Sequence, residues 1–359
     1  MAVIPTATIN RALPLRTDGF STLTEALDYA ARGDTGYNFY NLRGELAEAL
    51  PYALLRERAM RVAAGLAGRF ERGARIAIVA ETSPDFMLAF YACQYAGMIP
   101  APMPMPVNLG GKEGYLTQIR QMMLGARAAA AVGPVALVEF LEEAIAGAEG
   151  VEIFSFAALS ALPPSGAPEP FRADEPCYIQ YSSGSTSAPK GVIGTQASVT
   201  ANLYGITTHG LRLRDNDRAA SWLPLYHDMG LIGFALSPMY AQRTVDFIAT
   251  SDFVRRPLLW LRLMTENRTT ATYSPSFGYD LAARRAARAE EGAIDLSSLR
   301  VAGIGGDMVR PEALNLFTEA FAPLGFNPRA FLPSYGLAES TLAISFTDLE
   351  EPVKVDFVD

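Results

Sequence analysis

The chain has 359 residues, half of them apolar, a composition typical of a globular protein with a large core. A formal net charge of −8 gives no electrostatic indication of nucleic acid or an anionic membrane as a partner, so a bound anion would need a local pocket that overrides the overall sign. The longest apolar run, 86–107, is interrupted by Gly97 and by four prolines, so it is not typical of a transmembrane segment. Cys93 and Cys177 form no spaced pair and are expected to be free thiols. Together these features predict a cytoplasmic protein.

The first half of the chain alternates between helical and strand patterns. Apolar residues at helical spacing predict a helix within 50–70, and a run of β-branched residues predicts a buried strand over 75–81. A helix begins at Pro84 and ends at Gly97, and short strands are predicted at 128–132 and 151–154. The segment 162–176 is dense in Pro, Gly and Ala and predicts a long connection.

The second half repeats this alternation. Predicted strands cover 177–181, 191–195, 219–223, 244–248, 270–274, 299–304 and 342–346. Predicted helices begin near Ala197, Met229, Pro257, Tyr279 and Pro311. Strands that alternate with helices of this length predict an α/β fold of two stacked layered subdomains, with mostly parallel sheets and a cleft at the carboxyl ends of the strands.

The same alternation of strands and helices suggests a division of the whole chain, 1–359. We expect a helical part that leads into the fold (1–74), a first α/β subdomain (75–214) and a second one (215–359). The last residues, "FTDLEEPVKVDFVD", alternate like a strand but are closed by no helix. We expect either an edge strand or a chain that continues past residue 359, and we favour truncation.

The stretch "YIQYSSGSTSAPKGV", 178–192, places small and hydroxylated residues ahead of a single lysine, a composition suited to wrapping a polyanion. Its spacing fits neither the Walker loop nor the dinucleotide fingerprint. The chain contains no G-x-S-x-G elbow and only two histidines, His209 and His227, which argues against a serine hydrolase triad or a zinc site.

This stretch resembles the phosphate-binding loop of the adenylate-forming enzymes, which include acyl-CoA synthetases and peptide-synthetase adenylation domains. Further similarities follow in the family's order. "LPLYHDMGL" (223–231) is similar to the second motif, "YGLAE" (335–339) to the Y-G-x-[TA]-E motif, and "GGD" (305–307) to the adenine-contacting turn. The segments "SWLPLYHDMGLIG" and "YGLAESTLAIS" are similar in sequence to those of the fatty acyl-AMP ligase branch. That branch is similar in fold to the acyl-CoA ligases.

The resemblance implies attack of a fatty carboxylate on the α-phosphate of ATP, with release of pyrophosphate. The substrate supplies the nucleophile, so the protein needs positioning and charge neutralisation instead of a catalytic base. It implies ATP and Mg²⁺ as cofactors, and an acyl carrier protein, or coenzyme A as the alternative, as the acceptor of the acyl group. The net charge, in contrast, predicts no nucleic-acid partner.

The resemblance also assigns residues to roles. The phosphates would contact Ser182, Ser183, Gly184, Ser185, Thr186 and Lys190. The adenosine part would contact Gly305, Gly306, Asp307, Tyr335, Gly336 and Ala338, with Tyr335 stacked on adenine. Glu339 would hold Mg²⁺ and, with His227 and Lys190, would be catalytic. The acyl chain would contact His227, Asp228, Met229, Gly230, Ile232 and Phe277.

Each assignment has a structural alternative. The Ser-rich loop could be an ordinary surface loop, Glu339 a solvated residue at a helix start, and His227 a structural histidine. Asp307 could cap the helix that begins near Pro311, and the apolar acyl-contacting residues could be plain core.

Three functions therefore stay open. The chain could be part of a fatty acyl-AMP ligase, part of an acyl-CoA ligase or other adenylation domain, or a non-catalytic relative that binds nucleotide or acyl chains. Because later family elements are missing, we expect the isolated 359 residues to be weak or inactive in adenylation.

Overall fold

The structure is a computed structural model and describes residues 13–106, 111–182, 189–290, 292–349 and 351–356. Its strands are Gly36–Tyr40 (β1), Leu46–Pro51 (β2), Arg75–Val79 (β3), Ile99–Met103 (β4), Ala130–Gly133 (β5), Glu152–Ser155 (β6), Pro176–Ser182 (β7), Lys190–Thr195 (β8), Ala219–Ser221 (β9), Val245–Ile248 (β10), Ala271–Ser274 (β11), Val301–Ile304 (β12), Phe331–Gly336 (β13) and Ala343–Phe346 (β14).

The helices alternate with these strands over most of the described chain. They are Leu23–Ala30 (α1), Tyr52–Arg69 (α2), Pro84–Ala96 (α3), Gly111–Ala126 (α4), Val138–Ala144 (α5), Phe156–Ser160 (α6), Gln196–Tyr204 (α7), Asp228–Gly230 (α8), Ser237–Tyr240 (α9), Thr250–Arg255 (α10), Pro257–Glu266 (α11), Ser276–Ala283 (α12) and Pro311–Phe321 (α13). Two π-helical segments, Gly205–Gly210 and Leu231–Leu236, extend α7 and α8. The α/β fold class predicted from the sequence is confirmed.

The larger sheet has eight strands in the order β14-β13-β12-β11-β9-β10-β1-β2. The six strands from β13 to β1 run parallel, and only the outer pairs, β13 with β14 and β1 with β2, are antiparallel. Because parallel strands share one carboxyl edge, the segments that follow β9, β12 and β13 emerge on the same side of this sheet.

The smaller sheet has four parallel strands in the order β4-β3-β5-β6 and is covered on both faces. Alternate residues of β3 show this arrangement. Ile76 and Ile78 belong to the main core, whereas Ala77 and Val79 belong to a second core on the opposite face. A strand buried on both faces reads as a continuous apolar run, as the sequence of this segment does.

Two strand segments differ from the sequence expectation. The pair β7 and β8 forms a separate antiparallel ribbon instead of joining a parallel sheet, because the few residues between them are too short for the crossover that parallel pairing needs. The segment 1–74, expected to be helical, contains β1 and β2, which extend the eight-stranded sheet by pairing with β10. The pairing of β1 with β10 joins residues about two hundred positions apart, so no local sequence pattern predicts it.

Local signals explain the helix limits that the sequence did predict. Ser83 caps α3 by accepting a hydrogen bond from the Phe86 amide, Pro84 occupies the first turn, and Gly97 ends the helix in the left-handed conformation with φ of 67°. A Cβ at Gly97 would lie 2.3 Å from the Glu169 carbonyl oxygen, so the close approach of the connection 162–175 also requires glycine here.

Two further expectations can be compared with the structure. Cys93 and Cys177 are buried and unpaired, and burial raises the pKa of both thiols. Within the described ranges, no helix is both long and apolar enough to cross a membrane. Residues 347–349 and 351–356 belong to no helix or strand, so the expected edge strand is not formed in that part of the chain.

Candidate active site

The three sequence motifs meet at the carboxyl edge of the eight-stranded sheet. The segment 227–230 follows β9, Gly305 to Asp307 follow β12, and 338–340 follow β13. The β7–β8 ribbon reaches the same place, where the side-chain amide of Gln180 donates a hydrogen bond to the Tyr226 carbonyl at 2.5 Å. Strand β7 also contacts the turn at 338–340. Elements far apart in sequence therefore surround one site.

The Ser-rich loop leaves this ribbon at the site. Ser182 and Lys190 are direct partners across β7 and β8, so the two ends of the loop are held beside each other. Lys190 is exposed and Ser182 is half-buried. The other predicted phosphate contacts, Ser183, Gly184, Ser185 and Thr186, lie outside the described residues.

His227 and Asp228 occupy the turn that starts α8. The His227 carbonyl accepts the Leu231 amide at 2.8 Å, and the Asp228 carboxylate accepts the Met229 amide at 2.7 Å. The imidazole reaches solvent, but the surrounding protein lowers the pKa of His227, against an opposing effect of Asp228. Desolvation raises the pKa of Asp228, and the charge of Glu339 raises it further.

The turn at Gly305 to Asp307 approaches the same segment. Gly306 has φ of 76°, and a Cβ placed there would lie 3.1 Å from the Met229 Cε atom. Gly305 is buried against Ser334, whose carbonyl oxygen would lie 2.8 Å from an added Cβ. Asp307 is exposed and accepts a hydrogen bond from the Met308 amide at 2.7 Å, whereas Arg310 is the N-cap of α13. The alternative in which Asp307 caps that helix is therefore not realised.

Tyr335 and Glu339 lie at the end of β13. The Tyr335 ring is 63% exposed, unusually open for an aromatic residue at a strand end, and it is free to stack on a flat ligand. Gly336 permits the close return of the chain, because an added Cβ would lie 1.8 Å from the Leu342 carbonyl oxygen. Ala338 and Glu339 follow in a short 3₁₀ turn, with Glu339 exposed at the site.

A mostly apolar cavity opens at this edge and continues beneath the sheet. Asp228, Met229, Gly306, Tyr335 and Gly336 lie among the residues that line it. The walls come from both π-helical segments and from strands β9, β11 and β14. The further lining residues include Ile206, Leu211, Leu213, Phe234, Ala271, Tyr273, Leu342 and Phe346.

The predicted acyl contacts divide into two groups. Asp228 and Met229 line the cavity, whereas His227, Gly230, Ile232 and Phe277 do not line it within the described part of the chain. Gly230 packs on the preceding loop, because a Cβ there would lie 2.2 Å from the Pro224 carbonyl oxygen. Ile232 is buried in the main core, and the Phe277 ring packs edge-on against Trp222 at 5.5 Å. For Ile232 the core alternative describes the position better than the acyl contact.

Residues 37–356 match the family described as AMP-binding enzyme, which covers most of the chain. The chain belongs to that family.

Relatives of this AMP-binding enzyme carry related names. A putative acyl-CoA synthetase of Caulobacter vibrioides is 50% identical over 95% of this chain and 59% of its own length. A long-chain-fatty-acid–AMP ligase of Mycolicibacterium smegmatis is 33% identical over 95% of this chain and 56% of its own length. A medium-chain-fatty-acid–[acyl-carrier-protein] ligase of Moorena producens is 30% identical over 94% of this chain and 58% of its own length.

Solved structures agree with these relatives. A chain from structural studies of fatty acyl-adenylate ligases from E. coli and L. pneumophila superposes with a TM-score of 0.91 at 40% identity, over 95% of this chain and 62% of its own. The L. pneumophila fatty acyl-adenylate ligase in complex with acyl adenylate and pyrophosphate superposes with a TM-score of 0.83 at 28% identity. This match covers 93% of this chain and 58% of the ligase chain. The similarity to fatty acyl-AMP ligases expected from the motifs is confirmed. The chain spans little more than half the length of the relatives it matches.

Sequence reasoning missed much of the cavity wall, including Leu211, Tyr273 and Phe346. None of them belongs to a motif, and they reach the cavity only through the π-helical segments and strand order. The one local signal available was the glycine content of these segments, since Gly233 lines the cavity and a Cβ there would meet only Leu342, at 3.6 Å.

Proposed function

We propose that this chain is the nucleotide- and acid-binding part of an ATP-dependent ligase. The enzyme activates a fatty acid to acyl-adenylate with release of pyrophosphate, and the acyl group passes to an acyl carrier protein. The observation that carries this proposal is the position of the cavity mouth. An apolar cavity suited to an alkyl chain opens between Asp228, Gly306 and Tyr335, where the nucleotide motifs meet.

The chemistry fits a site without a nucleophile of its own. The fatty carboxylate is already ionised at neutral pH and attacks the α-phosphorus, while pyrophosphate leaves. In this proposal Lys190 and the Ser182–Thr186 loop neutralise and hold the phosphates, Tyr335 stacks on adenine, and Gly305, Gly306 and Asp307 border the base. Gly336 and Ala338 offer backbone groups near the α-phosphate. His227, kept neutral by its lowered pKa, orients the carboxylate without adding charge.

The residues present fit one divalent cation. Desolvation and, to a smaller extent, the charge of Glu339 raise the pKa of Asp228, and a bound cation would offset both effects. Among the residues that the structure describes, no group of three or more acidic, His or Cys side chains could form a complete protein cage. Mg²⁺ suits such a site, because it binds through one or two carboxylates together with phosphates and water. When bound, it supplies charge neutralisation for the phosphates, and Glu339 is the residue we propose to hold it.

A second acceptor has specific support. The relative that is 50% identical carries the name acyl-CoA synthetase, which favours coenzyme A in place of a carrier protein. Both acceptors follow the same first half-reaction, so the cavity and the nucleotide site serve either. We also place the enzyme in the cytoplasm, where two buried, unpaired cysteines are the usual state.

The deciding experiment uses protein from the complete reading frame that encodes this chain. It is incubated with ATP, Mg²⁺ and fatty acids of graded length, with and without coenzyme A, and the products are read by mass spectrometry. Acyl-AMP that persists in the presence of coenzyme A is the expected result. Conversion to acyl-CoA would move the protein to the second acceptor, and the absence of any acyl-AMP would overturn the proposed function. For the isolated 359 residues, weak or absent adenylation stays our prediction.

A further inference from the structure

The side chain of Gln180 joins the β7–β8 ribbon to the turn that carries His227. Gln180 is 1% exposed and lies in β7, two residues before Ser182, where the Ser-rich loop begins. Because side chains alternate along a strand, Gln180 and Ser182 share one face of the ribbon. Ile179 and Tyr181, on the opposite face, belong to the second core. Gln180 therefore points from the ribbon toward the candidate active site.

One peptide unit of the turn is held at both of its polar groups. The Gln180 side-chain amide donates a hydrogen bond to the Tyr226 carbonyl at 2.5 Å, and the His227 amide donates to the Pro224 carbonyl at 3.1 Å. The Tyr226 carbonyl and the His227 N–H belong to the same planar peptide unit. A carbonyl oxygen only accepts, so Gln180 supplies the donor. The two bonds together fix the plane from which the His227 side chain projects.

The bond from Gln180 has no substitute among the described residues. Within those ranges, no other hydrogen bond joins β7 or β8 to the segment 223–230. A carbonyl in this partly buried place is costly to leave without a donor, so the turn would move to find another partner if the amide were removed. The distance between the turn and the Ser-rich loop therefore depends on one side chain.

We infer that Gln180 is a positioning residue for the adenylation step. Its side-chain amide sets the position of His227, and so of the carboxylate that His227 orients, relative to the loop that holds the phosphates. Gln180 itself is buried and contacts no substrate. The inference rests on the proposed function for the roles of His227 and the loop, whereas the hydrogen bond that carries it belongs to the fold.

The substitution Gln180→Leu tests this role, because it removes the donor and keeps a side chain of similar size. Pyrophosphate release by the complete reading-frame product is measured while ATP and the fatty acid are varied in turn. We expect kcat to fall about ten- to a hundredfold, because a displacement of the reacting groups by about 1 Å has an effect of that size. The KM for ATP should change little, because the loop that holds the phosphates is retained.

Gln94→Leu is the matched control. Gln94 is also 1% exposed, and its side-chain amide donates to the Cys177 carbonyl at 2.7 Å, at the other end of β7. This variant loses the same kind of buried bond to the same strand, so its temperature of unfolding should fall comparably. Its kcat should stay close to the wild-type value, because the lost bond does not reach the turn.

NMR of the histidine side chains reports the turn without catalysis. The His227 imidazole signal, assigned by its loss in His227→Gln, should shift in Gln180→Leu and keep its position in Gln94→Leu. If Gln180→Leu does not fold, Gln180→Met takes its place, since the flexible methionine side chain also lacks a donor and adapts to irregular surroundings.

An unchanged His227 signal in the folded Gln180 variant would overturn the inference, and so would an equal loss of kcat in the Gln180 and Gln94 variants. Failure of the wild-type protein to form acyl-AMP, together with a shifted His227 signal in Gln180→Leu, would overturn the proposed function. It would leave standing the placement of His227 by Gln180.

Discussion

Several neighbouring groups act on the pKa of Asp228. Desolvation raises the pKa of its carboxyl group, the Met229 amide and His227 lower it, and Glu339 raises it again from another motif. Neighbouring carboxylates of this kind bind cations well, because each charge is poorly compensated by protein alone. In the proposed function, this local negative charge would favour the binding of Mg²⁺.

The substitution Glu339→Gln should lower the rate of acyl-AMP formation by the protein. It should also lower the pKa of Asp228. Removal of the Glu339 charge removes one cause that raises the Asp228 pKa, so the carboxyl group should become protonated only at a lower pH than in the wild type. Acyl-AMP formation should fall by about ten- to a hundredfold through weaker metal binding. Carbon-13 NMR of labelled aspartate reports the pKa, and Mg²⁺ titrations of pyrophosphate release report the metal requirement.

Glu319→Gln, on the exposed face of α13, is the matched control and should change neither quantity. An unchanged Mg²⁺ requirement in Glu339→Gln would show that this carboxylate does not hold the cation.

At the scale of elements, the connection 162–175 fixes the start of the β7–β8 ribbon. Arg72 binds both oxygens of Glu175 at 2.6 Å each and donates to the Glu169 carbonyl at 3.2 Å. The Arg172 amide adds a further bond to Glu175 at 2.7 Å. These contacts tie a segment without helix or strand to the four-stranded sheet, and thereby position the ribbon that carries the Ser-rich loop. The hydrogen bonds from Arg72 and Arg172 lower the pKa of Glu175 to about 2.

The stability contributed by this cluster should depend on pH. The pKa of Glu175 is about 2 in the folded chain against an ordinary 4.5, so its contribution is complete above pH 4.5 and is lost as pH falls toward 2. Glu175→Gln should lower the free energy of unfolding at pH 7 by about 1–2 kcal/mol, the pair being discounted for its partial exposure. Urea unfolding at pH 7, 5 and 3 measures the difference, which should shrink at the lowest pH.

Glu149→Gln, at an exposed glutamate after α5, controls for the loss of one surface charge. A deficit in Glu175→Gln that stayed constant from pH 7 to 3 would contradict the linkage.

At the scale of the whole molecule, the cavity exists because two π-helical segments pack against the sheet. Gly205–Gly210 begins with glycine, and Leu231–Leu236 contains Gly233, which lines the cavity. Such π-helical segments occur often at functional sites. The division of the chain at residues 74 and 214 stays a prediction, although β1 and β2 already attach the first segment to the larger sheet.

The substitution Gly233→Leu should make the protein select against long-chain acids. The new side chain enters the cavity, where a Cβ meets only Leu342 at 3.6 Å, so the fold tolerates the change while long chains lose their space. We expect kcat/KM for long acids to fall about tenfold or more, with short acids little affected. Pyrophosphate release across a series of chain lengths measures the change.

Gly205→Leu is the matched control, because it lies in the other π-helical segment, has no atom within 4 Å of an added Cβ and does not line this cavity. A uniform loss across all chain lengths in Gly233→Leu would mean that the cavity does not hold the acyl chain.

The sequence by itself determined what local chemistry encodes. Ser83, Pro84 and Gly97 set the limits of α3 through caps and backbone conformation. The buried strand 75–79 and the α/β class follow from periodicity, and the motifs at 223–231 and 335–339 identify the family because their residues are close together in the chain.

Only the tertiary structure decided what depends on contacts between distant segments. Strand β13 includes Pro333 and was not predicted, yet it pairs with β12 beside the site. The antiparallel ribbon and the joining of β1 to β10 also come from packing. The physical reason is that burial of a side chain and the loss of its hydrogen-bond partners are set by neighbours from other elements, and a single chain pattern does not contain those neighbours.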